Sequence, residues 1–131
     1  IPEIIKNLTT IKIIPFTINF TSTGAFPNRK HPRVLWIGLL KGMHTLNELS
    51  VKIDDMMNLL GFPSNSKAFN PHVTVARTKK PFPNAIKLFN DFYSYFSINS
   101  DCPFSLVTKF FLKKSTLTPK GPIYEDLHVF V

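Results

Sequence analysis

Asn70-Pro71-His72-Val73-Thr74-Val75-Ala76-Arg77 is the stretch on which the reading of this chain turns. Val73 and Val75 alternate with His72 and Thr74, the two-residue period of a β-strand. Residues two apart on a strand share a face, so His72 and Thr74 project together, and Val73 and Val75 are expected to enter a core. An imidazole beside a hydroxyl on a rigid strand suits phosphoryl chemistry. The imidazole moves a proton near neutral pH, and the hydroxyl hydrogen-bonds a non-bridging phosphate oxygen. Arg77 offers a fork of donors for the same phosphate. Its odd offset from His72 puts it on the opposite face of a regular strand, so it joins the site only if the strand ends or bulges near Ala76. A bare His-x-Thr is too short a pattern to name a function.

Upstream of this strand, Gly42 precedes a helix with Leu46, Leu49, Ile53, Met56, Met57 and Leu60 on one face. Thr45 is read as its N-cap, with Glu48 completing a capping box, and Gly61 as its stop. Arg33 to Leu40 reads as an apolar strand buried on both faces. Before it, Phe16, Ile18 and Phe20 alternate with Thr17, Asn19 and Thr21 as a half-buried strand. Gly24-Ala25-Phe26-Pro27-Asn28 punctuates that strand, and the basic turn Arg29-Lys30-His31-Pro32 follows. Ile4, Ile5, Leu8 and Ile11 have helical spacing, with Pro15 as the stop. Downstream, Lys79-Lys80-Pro81-Phe82-Pro83 breaks the chain. A second amphipathic helix with Ile86, Phe89, Phe92, Tyr93 and Phe96 opens near Asn84. Two strands, about Phe104 to Leu112 and Ile123 to Val131, close the chain around the turn Thr118-Pro119-Lys120-Gly121-Pro122. Helices interleaved with mostly antiparallel strands make an α+β fold.

The 131 residues make one domain, spanning 1–131. With 44% apolar and 18% charged residues the composition is globular. The longest apolar run, Val34 to Leu40, is far short of the roughly 20 residues that a membrane-spanning helix needs. A single cysteine, Cys102, excludes an internal disulfide and a cysteine-based zinc cluster. Sixteen Lys and Arg against eight Asp and Glu give a net charge of +8, which favours polyanionic partners such as RNA, DNA or anionic lipid. The chain opens on Ile1 rather than Met, which reads as a fragment or a processed chain, and Ile1 to Lys12 has no signal-peptide pattern. Of the four histidines, His31, His44 and His128 read as surface or packing residues.

Four blocks, in order, carry a resemblance. They are Gly24-Ala25-Phe26-Pro27-Asn28; Pro32-Arg33-Val34-Leu35-Trp36-Ile37-Gly38-Leu39; Phe69-Asn70-Pro71-His72-Val73-Thr74-Val75-Ala76-Arg77; and Leu112 through Glu125, which holds Ser115, Lys120-Gly121-Pro122 and Tyr124. Together they resemble the RNA 2′,3′-cyclic phosphodiesterases, also called 2′-5′ RNA ligases, of the two-histidine phosphoesterase superfamily. The resemblance spans essentially the whole chain. It implies a bilobal, pseudo-symmetric α+β fold, antiparallel sheets with helices on their outer faces, and two His-x-Thr-x motifs facing one another across a cleft. His72-Val73-Thr74-Val75 matches the second motif. The first, with the amino-terminal strands, belongs upstream of Ile1, so the domain reads as amino-terminally incomplete. Strands missing there would leave sheet edges and core surface uncovered.

The resemblance also implies a reaction. Water attacks the phosphorus of a 2′,3′-cyclic phosphate at an RNA end or on a nucleotide, and the 3′ oxygen leaves to give a 2′-phosphate. His72 is the expected base, the absent histidine the acid, and Thr74 a holder of phosphate oxygens. Arg77, Ser115 and Tyr124 are the expected substrate-binding residues. No metal or cofactor is implied, and ligation through a 2′-5′ bond is the reverse reaction. The expected protein is a cytoplasmic monomer whose partner is RNA, with no membrane role. Arg29, Lys30, Arg33, Lys79, Lys80, Lys109, Lys113, Lys114 and Lys120 are read as an electrostatic guide for the RNA backbone. Phe26 and Trp36 are read as core residues before base-stacking ones. Two alternatives remain open at this point: a half-site protein that binds RNA ends without turnover, and a pair of chains bringing two copies of His72 to one cleft.

Overall fold

The computed structural model describes residues 1–80, 84–98 and 104–131, with the side chains of 97 and 98 left aside. Pro81, Phe82 and Pro83 of the expected chain break, and Cys102, lie outside the described residues. The elements are α1 (Pro2–Leu8), β1 (Phe16–Ile18), β2 (Phe20–Phe26), β3 (Val34–Leu39), α2 (Met43–Leu59), β4 (His72–Arg77), α3 (Ala85–Ile98), β5 (Ser105–Val107), β6 (Phe110–Thr118) and β7 (Gly121–Phe130). β1 pairs with β5 in a two-stranded sheet. The chain divides into two compact units: Ile1–Phe16, Glu48–Ala68 and Leu106–Val131 form the first, and Thr17–Asn47 with Phe69–Ser105 form the second.

The first unit is built on the β6–β7 hairpin. Its antiparallel pairing runs from Phe110↔Phe130 to Thr118↔Gly121. The turn is thus only Pro119 and Lys120. The Thr118 hydroxyl donates to the Gly121 carbonyl at 2.7 Å and accepts the Lys120 N–H at 3.2 Å. Gly121, at φ +122°, closes it in a region that suits glycine. The closing strands are therefore longer than expected, and the first of them divides into β5 and β6. Leu8, Ile11 and Phe130 are buried at the centre of this unit, with Leu49, Ile53, Met56 and Met57 of α2 packed against them. Phe110 stacks on Phe130 at 4.5 Å. α1 stops at Leu8, well before Pro15. The hydroxyls of Thr9 and Thr10 donate to the carbonyls of Ile5 and Asn7 at 2.7 and 2.6 Å, taking up the last helical acceptors. Ile11 reaches the core from beyond the helix.

Gly61 ends α2 as expected. At φ +87° its N–H donates to the Asn58 carbonyl at 2.9 Å, and the Phe62 N–H donates to Met57 at 3.2 Å. This pair of bonds is the Schellman pattern. The other end of α2 differs from expectation. Its first bond runs from the Leu46 N–H to the Gly42 carbonyl at 3.0 Å, so Thr45 lies inside the helix rather than at its cap. Gly42 takes the entry because a Cβ there would meet Ile18 Cγ2 and the Thr17 carbonyl at 2.7 Å, and its φ is +82°. Close approach to β1 decides the start, over the capping-box letters.

The second unit is an antiparallel sheet in the order β2-β3-β4 with α3 on one face. Gly24-Ala25-Phe26 continues β2 rather than interrupting it. Ala25 and Leu35, paired across β2 and β3, are buried under Phe89, with Leu88 and Phe92 beside it. The expected apolar face of α3 is thus rotated. Leu88 packs inward, whereas Ile86 and Tyr93 are 56% and 51% exposed.

Candidate active site

The register between β3 and β4 builds the site. Gly38, Ile37 and Trp36 pair with His72, Val73 and Thr74; after one irregularity, Leu35 and Val34 pair with Ala76 and Arg77. Val75 is the extra residue, a β-bulge. Residues paired across a ladder share a face. His72, Thr74 and Arg77 therefore all lie on the face of Gly38, Trp36 and Val34, opposite the one that α3 covers. The bulge meets the condition that the sequence set for Arg77. The valines depart from expectation: Val73 and Val75 are 45% and 49% exposed instead of entering a core. Val75 is spent in the bulge. Val73 lies on the outer strand, one strand beyond the α3 side chains that pack on β2 and β3.

His72 is oriented from two sides. Its Nδ1 lies 2.6 Å from the carbonyl oxygen of Asn70. A carbonyl only accepts, so Nδ1 is the donor in this bond. The Phe26 ring meets the imidazole edge-on at 5.2 Å, and Trp36 lies at 6.0 Å. Phe26 and Trp36 touch each other at 5.3 Å. Both half-buried rings thus line the His72 face of the sheet rather than the face that α3 covers. The seat of Trp36 explains this. A Cβ on Gly24 would fall 2.0 Å from Trp36 Cζ2, and one on Gly38 would fall 2.8 Å from Cζ3 and 2.6 Å from Ser22 Oγ. Two side-chain gaps, one on the neighbouring strand and one two residues on, let the indole lie against the sheet. The sequence signal was there in Gly24 and in Trp36-Ile37-Gly38. Thr74, half-buried, stands across from Trp36, while Arg77 is exposed.

Ser115 and Tyr124 lie in the first unit, directly paired across the β6–β7 hairpin, and both are exposed. An ion pair between Lys113 and Asp126 flanks them. The structure thus groups the expected site residues as His72, Thr74 and Arg77 on one sheet and Ser115 with Tyr124 on another. His128 packs edge-on against Phe130 at 4.7 Å, in keeping with a packing role. Arg29, Lys30, Arg33, Lys79, Lys80, Lys109, Lys113, Lys114 and Lys120 are all exposed. Among the described residues no three His, Cys, Asp or Glu side chains gather as a metal site, and no helix is long and apolar enough to cross a membrane.

No family model matches the chain. Curated relatives do. The RNA 2′,3′-cyclic phosphodiesterase of Archaeoglobus fulgidus is 38% identical over 125 residues, covering 95% of this chain and 67% of that protein. Its namesake in Aquifex aeolicus is 39% identical over 131 residues, covering 98% and 68%. The one in Aeropyrum pernix is 32% identical over 128 residues, covering 96% and 70%. Among solved structures, the crystal structure of TT0787 of Thermus thermophilus superposes with a TM-score of 0.64 at 27% identity, over 99% of this chain and 68% of that one. The chain thus spans about two thirds of the length of these relatives.

Proposed function

The chain belongs to the RNA 2′,3′-cyclic phosphodiesterase family, and on that premise we propose that it hydrolyses 2′,3′-cyclic phosphate ends of RNA to 2′-phosphates. The observation that carries the reading is the bulge at Val75, which sets an imidazole, a hydroxyl and a guanidinium on one sheet face.

His72 acts as the base. With Nδ1 bonded to the Asn70 carbonyl, Nε2 is free to take the proton of a water molecule. The water oxygen bonds to phosphorus as the bond from phosphorus to the ribose 3′ oxygen breaks. Charge building on the non-bridging oxygens is met by the Thr74 hydroxyl and the Arg77 fork. The departing 3′ oxygen needs a proton. The resemblance gives that role to the histidine of the family's other His-x-Thr-x motif. Ser115 and Tyr124 are proposed as further RNA contacts, on the strength of their exposed, side-by-side hydroxyl-bearing side chains. The same reading takes the protein as a monomer working in the cytoplasm.

The test is turnover of an RNA oligomer bearing a 2′,3′-cyclic phosphate. The unsubstituted protein is expected to release the 2′-phosphate, and His72→Ala to slow release by about 100-fold or more, the usual worth of a general base. Equal turnover by His72→Ala removes His72 from the mechanism. An oligomer that binds but is never converted replaces the enzyme reading with that of an RNA-end-binding protein.

A further inference from the structure

On the face of the second unit's sheet away from His72, an open hollow of about 360 Å³ lies between the 28–31 turn and α3. That is within the range of small-ligand sites, roughly 300–1,000 Å³. Arg29, Lys30, Ile86, Phe89, Asn90 and Tyr93 line it. The exposed Arg29 guanidinium sits 5.3 Å from the centre of the buried Phe89 ring, a cation–π contact that favours this position. The turn that carries it is itself fixed, because Asn28 Oδ1 accepts the N–H groups of Lys30 and His31 at 3.0 and 2.9 Å. The Tyr93 ring runs within 20° of parallel to Phe89 and is 51% exposed. Asn90 brings an amide with both donors and acceptors. The neighbouring Asp91 carboxylate is occupied by Lys87 at 2.8 Å, which lessens its repulsion of an anion.

We propose that this hollow is a subsite for one nucleotide of single-stranded RNA, its base stacked on Tyr93 and its phosphate held by Arg29 and Lys30. The assignment rests on RNA being the substrate, and it adds a second place where the strand is gripped. Fixed cations beside an exposed aromatic are the pairing by which single strands are held without sequence preference. The Asn90 amide can read a base edge. The 28–31 turn follows Phe26 in the chain, and Phe26 touches His72. The exposure of Ile86 and Tyr93, at positions whose spacing assigned them to the core, is accounted for by this role.

The experiment compares two ligands: a labelled RNA hexamer ending in a 2′,3′-cyclic phosphate, followed by fluorescence anisotropy, and a 2′,3′-cyclic mononucleotide, followed by calorimetry. Tyr93→Ala is expected to weaken hexamer binding about tenfold and to leave the mononucleotide unchanged, with Tyr93→Phe binding the hexamer like the unsubstituted protein. Arg29→Ala is expected to weaken the hexamer and flatten its salt dependence. The proposal is overturned if Tyr93→Ala binds the hexamer as tightly as the unsubstituted protein, or loses both ligands equally. A hexamer with a plain 3′-hydroxyl separates the two readings. If it binds as tightly as the cyclic one and still responds to Tyr93→Ala, the subsite stands and the cyclic-end reading falls.

Discussion

Gly24 shows how little chemistry separates a working face from a broken one. Alanine there would place a methyl group 2.0 Å from Trp36 Cζ2, and the indole has Phe26 against it. Gly24→Ala is therefore expected to destabilise the protein by about 1–3 kcal/mol, the usual cost of overpacking. Trp36→Phe removes the atoms in conflict, so adding Gly24→Ala to that background is expected to cost much less. Urea denaturation of the four proteins checks this, and equal costs in the two backgrounds would mean that the indole is not what fills the space. Single residues were unevenly legible in the sequence. His72 and Thr74 declared themselves because alternation on a strand is enough to pair them. Trp36 and Phe26 did not, because an apolar strand looks the same whether its large side chains lie under a helix or in glycine gaps on the other face.

The bulge in β4 belongs to the scale of the element. Deleting Val75 is expected to restore unbroken pairing with β3 and to keep Arg77 opposite Val34, on the face of His72 and Thr74. If Arg77 holds the phosphate, Arg77→Ala costs about 1.5–3 kcal/mol of binding, as for a hydrogen bond to a charged group. The deletion is expected to cost much less, and Arg77→Ala is expected to cost about as much with Val75 gone as with it present. Affinity for an RNA cyclic end measured on the three variants checks this, and no further loss in the combined variant would show that Arg77 had left the face of His72. Nothing in Val73-Thr74-Val75-Ala76 announces a bulge, since the alternation is unbroken and the extra residue appears only when β3 supplies the count. α2 teaches the same lesson at its ends. Gly61 was legible because a positive φ after an apolar run is a local demand. The start was misread because Thr45 and Glu48 spell a cap locally, while contact with Thr17 and Ile18 places the entry at Gly42.

Across the whole molecule, charge and resemblance were the most legible features, because both are summed over many residues and survive local misreadings. A net charge of +8 implies binding that weakens with salt. If Arg29, Lys30 and Arg77 each meet one phosphate of a single strand, the logarithm of affinity is expected to fall with the logarithm of salt at a slope of about −2. A titration series in potassium chloride checks this, and a slope near zero would remove phosphate contacts from the account. The separate cores around Leu8 and Phe89 were less legible, because sequence periodicity marks an apolar face but not which face meets it. One further consequence follows from the aromatic wall beside His72. Trp36 is the chain's only tryptophan, and it stands 6.0 Å from that imidazole. Indole emission is quenched by a nearby imidazolium and altered when its surroundings lose water. The protein thus carries its own optical gauge, a lone unlabelled fluorophore set beside the candidate base.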